Sequence, residues 1–275
     1  MRRRRLTNLG RYLGVLAVGL IMAFPILYLM SASLMSTKDL NAYPPRLLPS
    51  EPVWENFGAA AAYLTPTSVL NSLLFSAGVV ALQLALALPA GFALARIPFR
   101  FATPIVAVLL LSVFLPANMA LIPTYVITYS LGIVNTYAGL ILPVAGGTAM
   151  AMLMFRQFFA GMPSGLFEAA RLDGASWLQT FRRIALPLSG PIVAAYSVVT
   201  FLAVWNMYVW PQVVAPSENL RVLTVALAPL ARSDYSQTPP GVGMAAAVIS
   251  MLPVLVVFLL FQRSFRKGIV GTGLE

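Results

Sequence analysis

The chain has 275 residues, of which 59% are apolar and 9% are charged, whereas about 25% of residues are charged in typical soluble domains. This composition excludes an ordinary soluble domain. The sequence contains neither cysteine nor histidine, which excludes disulfides, thiolate and imidazole metal sites, and histidine-based nucleophilic triads. We therefore expect no catalytic residue, no metal site and no cofactor bound by this chain.

The net charge of +10 does not indicate a nucleic-acid partner, because a basic patch needs a soluble face on which to gather. Long stretches contain no Asp, Glu, Lys or Arg: 56–95, 101–155, 184–217 and 235–262. A helix that crosses the hydrocarbon core of a bilayer needs only about 20 such residues. The sequence therefore predicts a membrane protein that contacts lipid.

Uncharged windows predict six transmembrane helices within a single domain, 1–275. The windows cover about 12–34, 69–95, 102–122, 137–155, 190–210 and 241–261. The first window has 23 residues, which is too long for the apolar core of a signal peptide, about 7 to 15 residues. We therefore interpret it as a retained span.

Basic residues are divided unevenly between the two sides of this arrangement. With the N-terminus inside, 14 of the 18 lysines and arginines fall in inner segments. Loops rich in Lys and Arg stay in the cytoplasm, so both termini are expected there. All eight carboxylates fall outside the windows, which disfavours an ion-driven carrier, because such carriers use an ionisable residue within the membrane.

A segment of 33 residues, 156–188, separates the fourth and fifth windows. It is too short for a catalytic domain of about 50 to 200 residues. Gly174 predicts the end of one helix, because glycine readily takes the left-handed conformation. Ser176 and Gln179 have the Ser-x-x-Gln spacing of a capping box, which predicts a second helix at once. Pro187 is expected to end this second helix.

The second helix has an apolar stripe formed by Trp177, Phe181 and Ile184. Arg182 and Arg183 are turned away from it. Such a helix either docks into an apolar groove of a cytoplasmic partner or lies on the lipid surface. Amphipathicity alone leaves both alternatives open.

The order of residues in this segment resembles the EAA loop of ATP-binding-cassette (ABC) importer permeases. The resemblance rests on Glu168-Ala169-Ala170, Asp173-Gly174-Ala175, Phe181 and Leu186-Pro187. Weaker motifs extend it over the chain, toward the second membrane subunit of maltose-type carbohydrate permeases: Asn71-Ser72, Pro123-Thr124-Tyr125, Asn135-Thr136-Tyr137, Trp205-Asn206 and Trp210-Pro211. The excess of arginine over lysine is typical of a GC-rich bacterial genome, and the chain loosely resembles the mycobacterial amino-sugar importer permeases.

The resemblance implies an all-α polytopic protein with the type I ABC importer permease fold, in the plasma membrane of a bacterium. It implies a permease subunit that moves a carbohydrate or sugar derivative. The partners implied are a homologous second permease, two cytoplasmic ATPase subunits that bind ATP and Mg, and an extracellular solute-binding protein. It also implies roles in coupling to the ATPase, with Trp177 added from the apolar stripe: Glu168, Ala169, Ala170, Asp173, Gly174, Trp177, Phe181 and Pro187.

Polar and aromatic residues within or near the windows are candidates for the substrate pathway: Gln83, Asn118, Trp205, Asn206 and Tyr208. They offer stacking and hydrogen bonds to a sugar, but interfacial anchoring and helix–helix contacts also use these residue types. Two alternative functions stay open, a permease for a glycerol-phosphate-type solute and a membrane-embedded lipid-processing enzyme. The enzyme would need convergent acids, bases or metal ligands, and only Glu168 and Asp173 are clustered.

Overall fold

The computed structural model describes residues 2–114, 117–231 and 238–270, and every regular element within them is a helix. The prediction of an all-α protein is therefore confirmed. The α-helices are α1 Arg2–Ala32, α2 Thr37–Leu40, α3 Glu55–Tyr63, α4 Pro66–Arg96, α5 Ala102–Val113, α6 Leu121–Ser130, α7 Tyr137–Gly146, α8 Ala149–Ala160, α9 Ser164–Leu172, α10 Trp177–Thr180, α11 Leu186–Leu188, α12 Gly190–Trp205, α13 Val209–Val214, α14 Leu223–Ala231 and α15 Pro240–Val270. Other helical turns are the 3₁₀ segments Ala117–Ala120 and Glu218–Leu220 and the π-helical segment Phe181–Ala185.

Three helical stretches in the described residues are long and apolar enough to cross a membrane, namely Tyr12–Ala32, Pro66–Arg96 and Pro240–Val257. Two pairs of helices bent at a short break raise this number to five if each pair crosses as one span. The number of crossings therefore stays a prediction. The length and apolar composition of these helices suit a membrane environment.

The continuous helix expected over 102–122 is not found. The helix that begins there, α5, ends at Val113 after 12 residues, and α6 begins at Leu121. The sequence accounts for an interruption, because Pro116 lacks an N–H donor and disfavours helical backbone in the residue before it. The 12-residue helix Ala102–Val113 is apolar but too short by itself to count as a candidate span, so the crossing at 102–122 stays a prediction.

The chain divides into two compact units, Met1–Thr65 with Ala226–Leu252, and Pro66–Val225 with Pro253–Glu275. In the first unit, the buried Asn56 joins α3 to the chain that follows α1. Its amide nitrogen donates to the carbonyl oxygens of Ser33 at 3.0 Å and Met35 at 3.1 Å. Gly241, at the start of α15, permits this arrangement, since a Cβ there would lie 2.6 Å from the carbonyl oxygen of Met35.

In the second unit, α4 is the central helix and packs against α7, α8 and α12. Its buried residues contribute to two apolar clusters. The first cluster includes Phe75, Val79, Leu140, Val204 and Trp210, and the second includes Leu88, Phe92, Phe155, Phe159 and Phe167. The second cluster lies at the C-terminal end of α4, where α4 contacts the segment between α8 and α12.

Polar residues within α4 are bonded to other parts of the same unit. The buried side chain of Asn71 donates to the carbonyl oxygens of Asn219 at 2.9 Å and Arg221 at 3.0 Å, and accepts from the Tyr137 hydroxyl at 2.6 Å. A buried amide is costly unless its hydrogen bonds are satisfied. Asn71 therefore fixes the beginning of α4 against α7 and the 3₁₀ segment near Arg221.

Candidate functional site

The segment between α8 and α12, 161–189, is called the loop segment below. Its first helix, α9, ends at a left-handed glycine, because Gly174 has a φ of 74°. The N–H of Gly174 donates to Arg171 at 3.0 Å, and the N–H of Ala175 donates to Ala170 at 2.9 Å. This pair of bonds is a Schellman motif, which satisfies carbonyl groups at a helix end. The predicted end of the helix at Gly174 is confirmed.

The second helix of the loop segment begins with the predicted capping box. The Ser176 hydroxyl accepts from the N–H of Gln179 at 3.3 Å, and the Gln179 side chain accepts from the N–H of Ser176 at 2.8 Å. This helix ends at Leu188, one residue beyond the end predicted at Pro187. The π-helical turn just before Pro187 replaces the regular bonding pattern that a proline would disrupt. The chain then bends by 71° into α12.

Helix α9 has one buried face and one exposed face. Phe167, a member of the second apolar cluster, and Ala170 are buried, whereas Leu172 is 89% exposed. Among the residues to which the resemblance assigns ATPase coupling, one is buried, Ala170, and five are exposed, namely Glu168, Ala169, Asp173, Gly174 and Pro187. The exposed face of α9 and the turn directly after it therefore present four of the eight predicted coupling residues, namely Glu168, Ala169, Asp173 and Gly174.

The apolar stripe of the second helix packs partly inward. The ring of Phe181 lies 5.3 Å from that of Phe92 and 6.5 Å from that of Phe159, and Trp177 lies 6.4 Å from Phe92. Trp177 and Phe181 are half-buried, so α4 and α8 of the same chain cover part of the stripe. Contact of the remaining part with a groove of a partner stays a prediction. The periodicity indicated an apolar face, but the nearest apolar surface belongs to the same unit.

Arg96, the last residue of α4, holds the corner between α8 and α9. Its guanidinium donates to the carbonyl oxygens of Phe159, at 2.6 and 2.9 Å, of Ala160 at 3.3 Å, and of Met162. It also lies 4.2 Å from the ring centroid of Phe167 on α9. The carbonyl groups at a helix C-terminus lack intrahelical partners and carry partial negative charge, so a cation is favoured there.

Sequence reasoning missed Arg96 and Phe92 as functional candidates, because the window 69–95 was assigned to lipid. A signal was present, since the two residues are four positions apart and therefore share one face of α4. An arginine that ends a long uncharged window is a candidate for capping a neighbouring helix. Its partner, however, is 63 residues away in the sequence and leaves no local pattern.

Gln83, predicted in the substrate pathway, lies within α4 and is 6% exposed. Its amide nitrogen donates to the carbonyl oxygen of Val144 at 3.2 Å, and its amide oxygen accepts from the Tyr196 hydroxyl at 2.5 Å. Both polar atoms of the side chain are therefore engaged between α7 and α12. Contact with substrate stays a prediction for Gln83.

The other pathway candidates lie at the end of α12, except Asn118. Trp205 is buried and stacks on Phe201 at 5.6 Å between ring centroids. Asn206 is exposed and donates to the carbonyl oxygen of Leu202 at 2.8 Å. Tyr208 is half-buried in the break before α13. The side chain of Asn118 lies outside the described residues.

The described residues contain no group of three or more acidic, histidine or cysteine side chains that could hold a metal ion. Within those residues, Glu168 and Asp173 are both exposed on the loop segment. An exposed surface of this kind offers contacts to a partner and no enclosed reaction site.

The chain matches the family described as "Binding-protein-dependent transport system inner membrane component" over residues 4–271. It is 34% identical to the sn-glycerol-3-phosphate transport system permease protein UgpE of Agrobacterium fabrum, over 98% of this chain and 96% of the relative. It is 32% identical to the protein of the same name from Rhizobium meliloti, over 98% of each chain.

The fold is similar to that of a chain in the crystal structure of a bacterial ABC transporter involved in the import of the acidic polysaccharide alginate. The TM-score is 0.80 at 23% sequence identity, and the match covers 96% of this chain and 98% of that chain. The sequence match and the apolar helices lead to one conclusion. The chain is a multi-pass protein of the inner membrane and belongs to the family of binding-protein-dependent transport system inner membrane components.

Proposed function

We propose that this chain is one of two homologous permease subunits of an ABC importer, and that cytoplasmic ATPase subunits bind the exposed face of α9. The observation that carries the proposal is the 89% exposure of Leu172 on a helix whose opposite face is buried. Glu168 precedes Leu172 by one helical turn, so both residues lie on the same exposed side. An exposed apolar residue beside a charge, on a helix held from behind, suits docking of a protein.

ATP hydrolysis is assigned to the partner subunits. Neither Lys38 nor Lys267 follows the glycines of a phosphate-binding loop in the sequence. We therefore expect ATP and Mg to bind to the ATPase subunits and no cofactor to bind to this chain. An extracellular solute-binding protein would deliver the substrate, as the family description implies for a binding-protein-dependent system.

For topology, we propose six crossings with both termini in the cytoplasm. The support is the distribution of charge, since 14 of the 18 basic residues fall on one side of that arrangement. A phosphatase fused after Glu275 should be inactive, and one inserted between Lys38 and Glu55 should be active. The reverse pattern would contradict the topology.

For substrate, we propose a carbohydrate or sugar derivative, with a glycerol-phosphate-type solute as the second candidate. The second candidate is favoured by the names of the relatives, which are transport permeases for sn-glycerol 3-phosphate at 32% to 34% identity. Uptake of radiolabelled sn-glycerol 3-phosphate and of a panel of neutral sugars by the complete complex would separate the two. Competition for uptake by unlabelled glycerol 3-phosphate alone would select the second candidate.

The docking proposal is tested by Leu172→Ala, with Leu131→Ala as the matched control. Leu131, in the turn after α6, is 65% exposed but lies outside the loop segment. Truncation of the few residues that dominate an interface costs more than about 1 kcal/mol, which is roughly five-fold in the dissociation constant. We expect Leu172→Ala to reduce the ATPase that co-purifies with the permease and to slow uptake, and Leu131→Ala to change neither. Equal ATPase recovery from both variants would refute docking at α9.

A further inference from the structure

Two residues at the end of α4, Phe92 and Arg96, hold both helices of the loop segment. The ring of Phe92 lies 5.6 Å from Phe159 of α8 and 6.1 Å from Phe167 of α9. The rings of Trp177 and Phe181, which begin and continue the second helix, lie 6.4 and 5.3 Å from the same ring. Arg96, one helical turn further on, bonds the corner between α8 and α9.

The covalent connections of the loop segment are poorly suited to transmit a displacement. α9 is joined to α8 by a short non-helical linker around Gly161, and the second helix bends by 71° before α12. Rotation of the loop segment can be absorbed at such junctions, because backbone torsions at helix ends take up large changes. The contacts with α4 offer no such freedom, since packed aromatic rings and charge-assisted hydrogen bonds resist sliding.

α4 can carry a displacement from this end to distant parts of the same unit. It is a single helix of 31 residues that contains Pro89, about 46 Å long at 1.5 Å per residue. Gln83 bonds it to α7 and α12 along the way, and Asn71 bonds its other end near Arg221. These bonds connect the last turn of α4 through one helix to α7, α12 and the segment near Arg221.

We propose that Phe92 and Arg96 are positioning residues that transmit movement of the loop segment to α4. The proposal rests on the proposed function, because it assigns the origin of the movement to the ATPase at the exposed face of α9. Phe92 provides the apolar contact with both loop helices. Arg96 keeps the α8–α9 corner from separating from α4. Neither residue contacts the ATPase or the substrate in this assignment.

The experiment uses the complete complex in proteoliposomes with its binding protein, and measures uptake per ATP hydrolysed. The main variants are Arg96→Gln, which keeps polarity but loses the charge and the forked donor, and Phe92→Leu, which keeps an apolar side chain but loses the ring. Arg96→Lys is the conservative variant, because ammonium keeps the charge without the planar fork. Arg100→Gln is the matched control, since Arg100 is exposed and lies over its neighbour Phe101 at 4.3 Å.

We expect Arg96→Gln and Phe92→Leu to retain the ATPase subunits at the normal ratio. Uptake per ATP should fall at least about five-fold in both, the lower end of the usual coupling between sites. Arg96→Lys should fall less than Arg96→Gln, and Arg100→Gln should match the unmodified complex. A purely structural role would lower the amount of complex and leave uptake per ATP unchanged.

Normal uptake per ATP in Arg96→Gln and Phe92→Leu would overturn the proposal. Loss of the ATPase from Phe92→Leu and Arg96→Lys as well would also overturn it, because both residues would then serve assembly. Failure of the proposed function gives a different result, since the unmodified complex would then show no uptake stimulated by its binding protein.

Discussion

Replacement of Gly174 tests whether the left-handed end of α9 is required for transport. Gly174 has a φ of 74°, and a Cβ built there would meet no atom within 4 Å. A substitution therefore changes the backbone preference without creating a clash. A series of Gly174→Asn, Gly174→Ala and Gly174→Val raises the cost of the left-handed conformation stepwise, since Asn tolerates it best and β-branched residues least.

The free-energy cost of replacing Gly174 is set by whichever of two backbone responses costs less. If the backbone stays left-handed, an ordinary residue pays about 1 to 2 kcal/mol for the conformation. If the backbone relaxes, the bonds from Gly174 to Arg171 and from Ala175 to Ala170 are lost, at about 0.5 to 1.5 kcal/mol each. The first route costs about 1 to 2 kcal/mol and the second about 1 to 3 kcal/mol, so the equilibrium constant between the ordered and the relaxed loop falls about 5-fold or more.

The assay combines substrate uptake by the complete complex with hydrogen exchange of the peptides that cover 164–180. We expect exchange to rise and uptake to fall in the order Asn, Ala, Val. Gly165→Ala is the control, because Gly165 lies in the first turn of α9 with open space around a Cβ and no left-handed φ. It should be neutral or slightly stabilising, since alanine favours a helix over glycine. Normal uptake in Gly174→Val, or an equal loss in Gly174→Asn and Gly174→Val, would refute the reasoning.

Two further predictions concern packing and pH. Gly91→Ala should lower the melting temperature of the purified protein, because its Cβ would lie 2.7 Å from Phe155 Cβ and 2.9 Å from the backbone nitrogen of Arg156, and overpacking costs about 1 to 3 kcal/mol. Gly78→Ala should lower it less, because the atom nearest to its Cβ is Cδ1 of Ile141 at 2.8 Å, the end of a flexible side chain. Equal shifts would contradict this. Hydrogen bonds from the Ser50 side chain hold the pKa of Asp39 below its ordinary 3.8; burial opposes this effect, while Ser36, the Ser50 backbone and Arg46 add to it. The ionised Asp39 therefore contributes fully to stability above about pH 3.8, and this contribution is lost as the pH falls through the lowered pKa. Melting of Asp39→Asn should therefore differ from the unmodified protein at pH 7 and converge with it in acid, and a constant difference down to pH 3 would contradict the assignment.

Features of the loop segment that depend on neighbouring residues were predictable from the sequence. The left-handed Gly174 and the Ser176–Gln179 capping box each involve partners within five positions, so a short pattern contains all the information. Helix continuity was less predictable, as the window 102–122 shows, because apolar composition favours a membrane environment whether or not the helix is broken. Pro187 was expected to end the helix, as proline usually does. The π-helical turn that precedes it has no clear signature in the sequence.

The sequence did not predict which surface covers the apolar stripe of the second helix. A stripe at helical spacing predicts that the side chain of Phe181 is covered. It does not indicate whether a partner, lipid or the same chain covers it. Contacts with Phe92 and Phe159 span 89 and 22 positions, and no local pattern encodes them. The same limit applies to Gln83. Its amide group can form hydrogen bonds with a sugar or with buried groups of the chain, and in the structure it is bonded to Val144 and Tyr196.

The inward packing of Phe181 changes what its replacement can report. Phe181→Ala leaves the exposed face of α9 intact and removes a ring from a cluster inside the permease, where a Phe-to-Ala truncation costs up to about 3 to 5 kcal/mol when the site is fully buried. Phe181 is half-buried, so the cost is smaller, but it falls on the attachment of the loop segment to α4. Loss of transport in Phe181→Ala is therefore evidence about the attachment, whereas loss in Leu172→Ala is evidence about docking. Together the two variants separate contact with the ATPase from transmission of its movement.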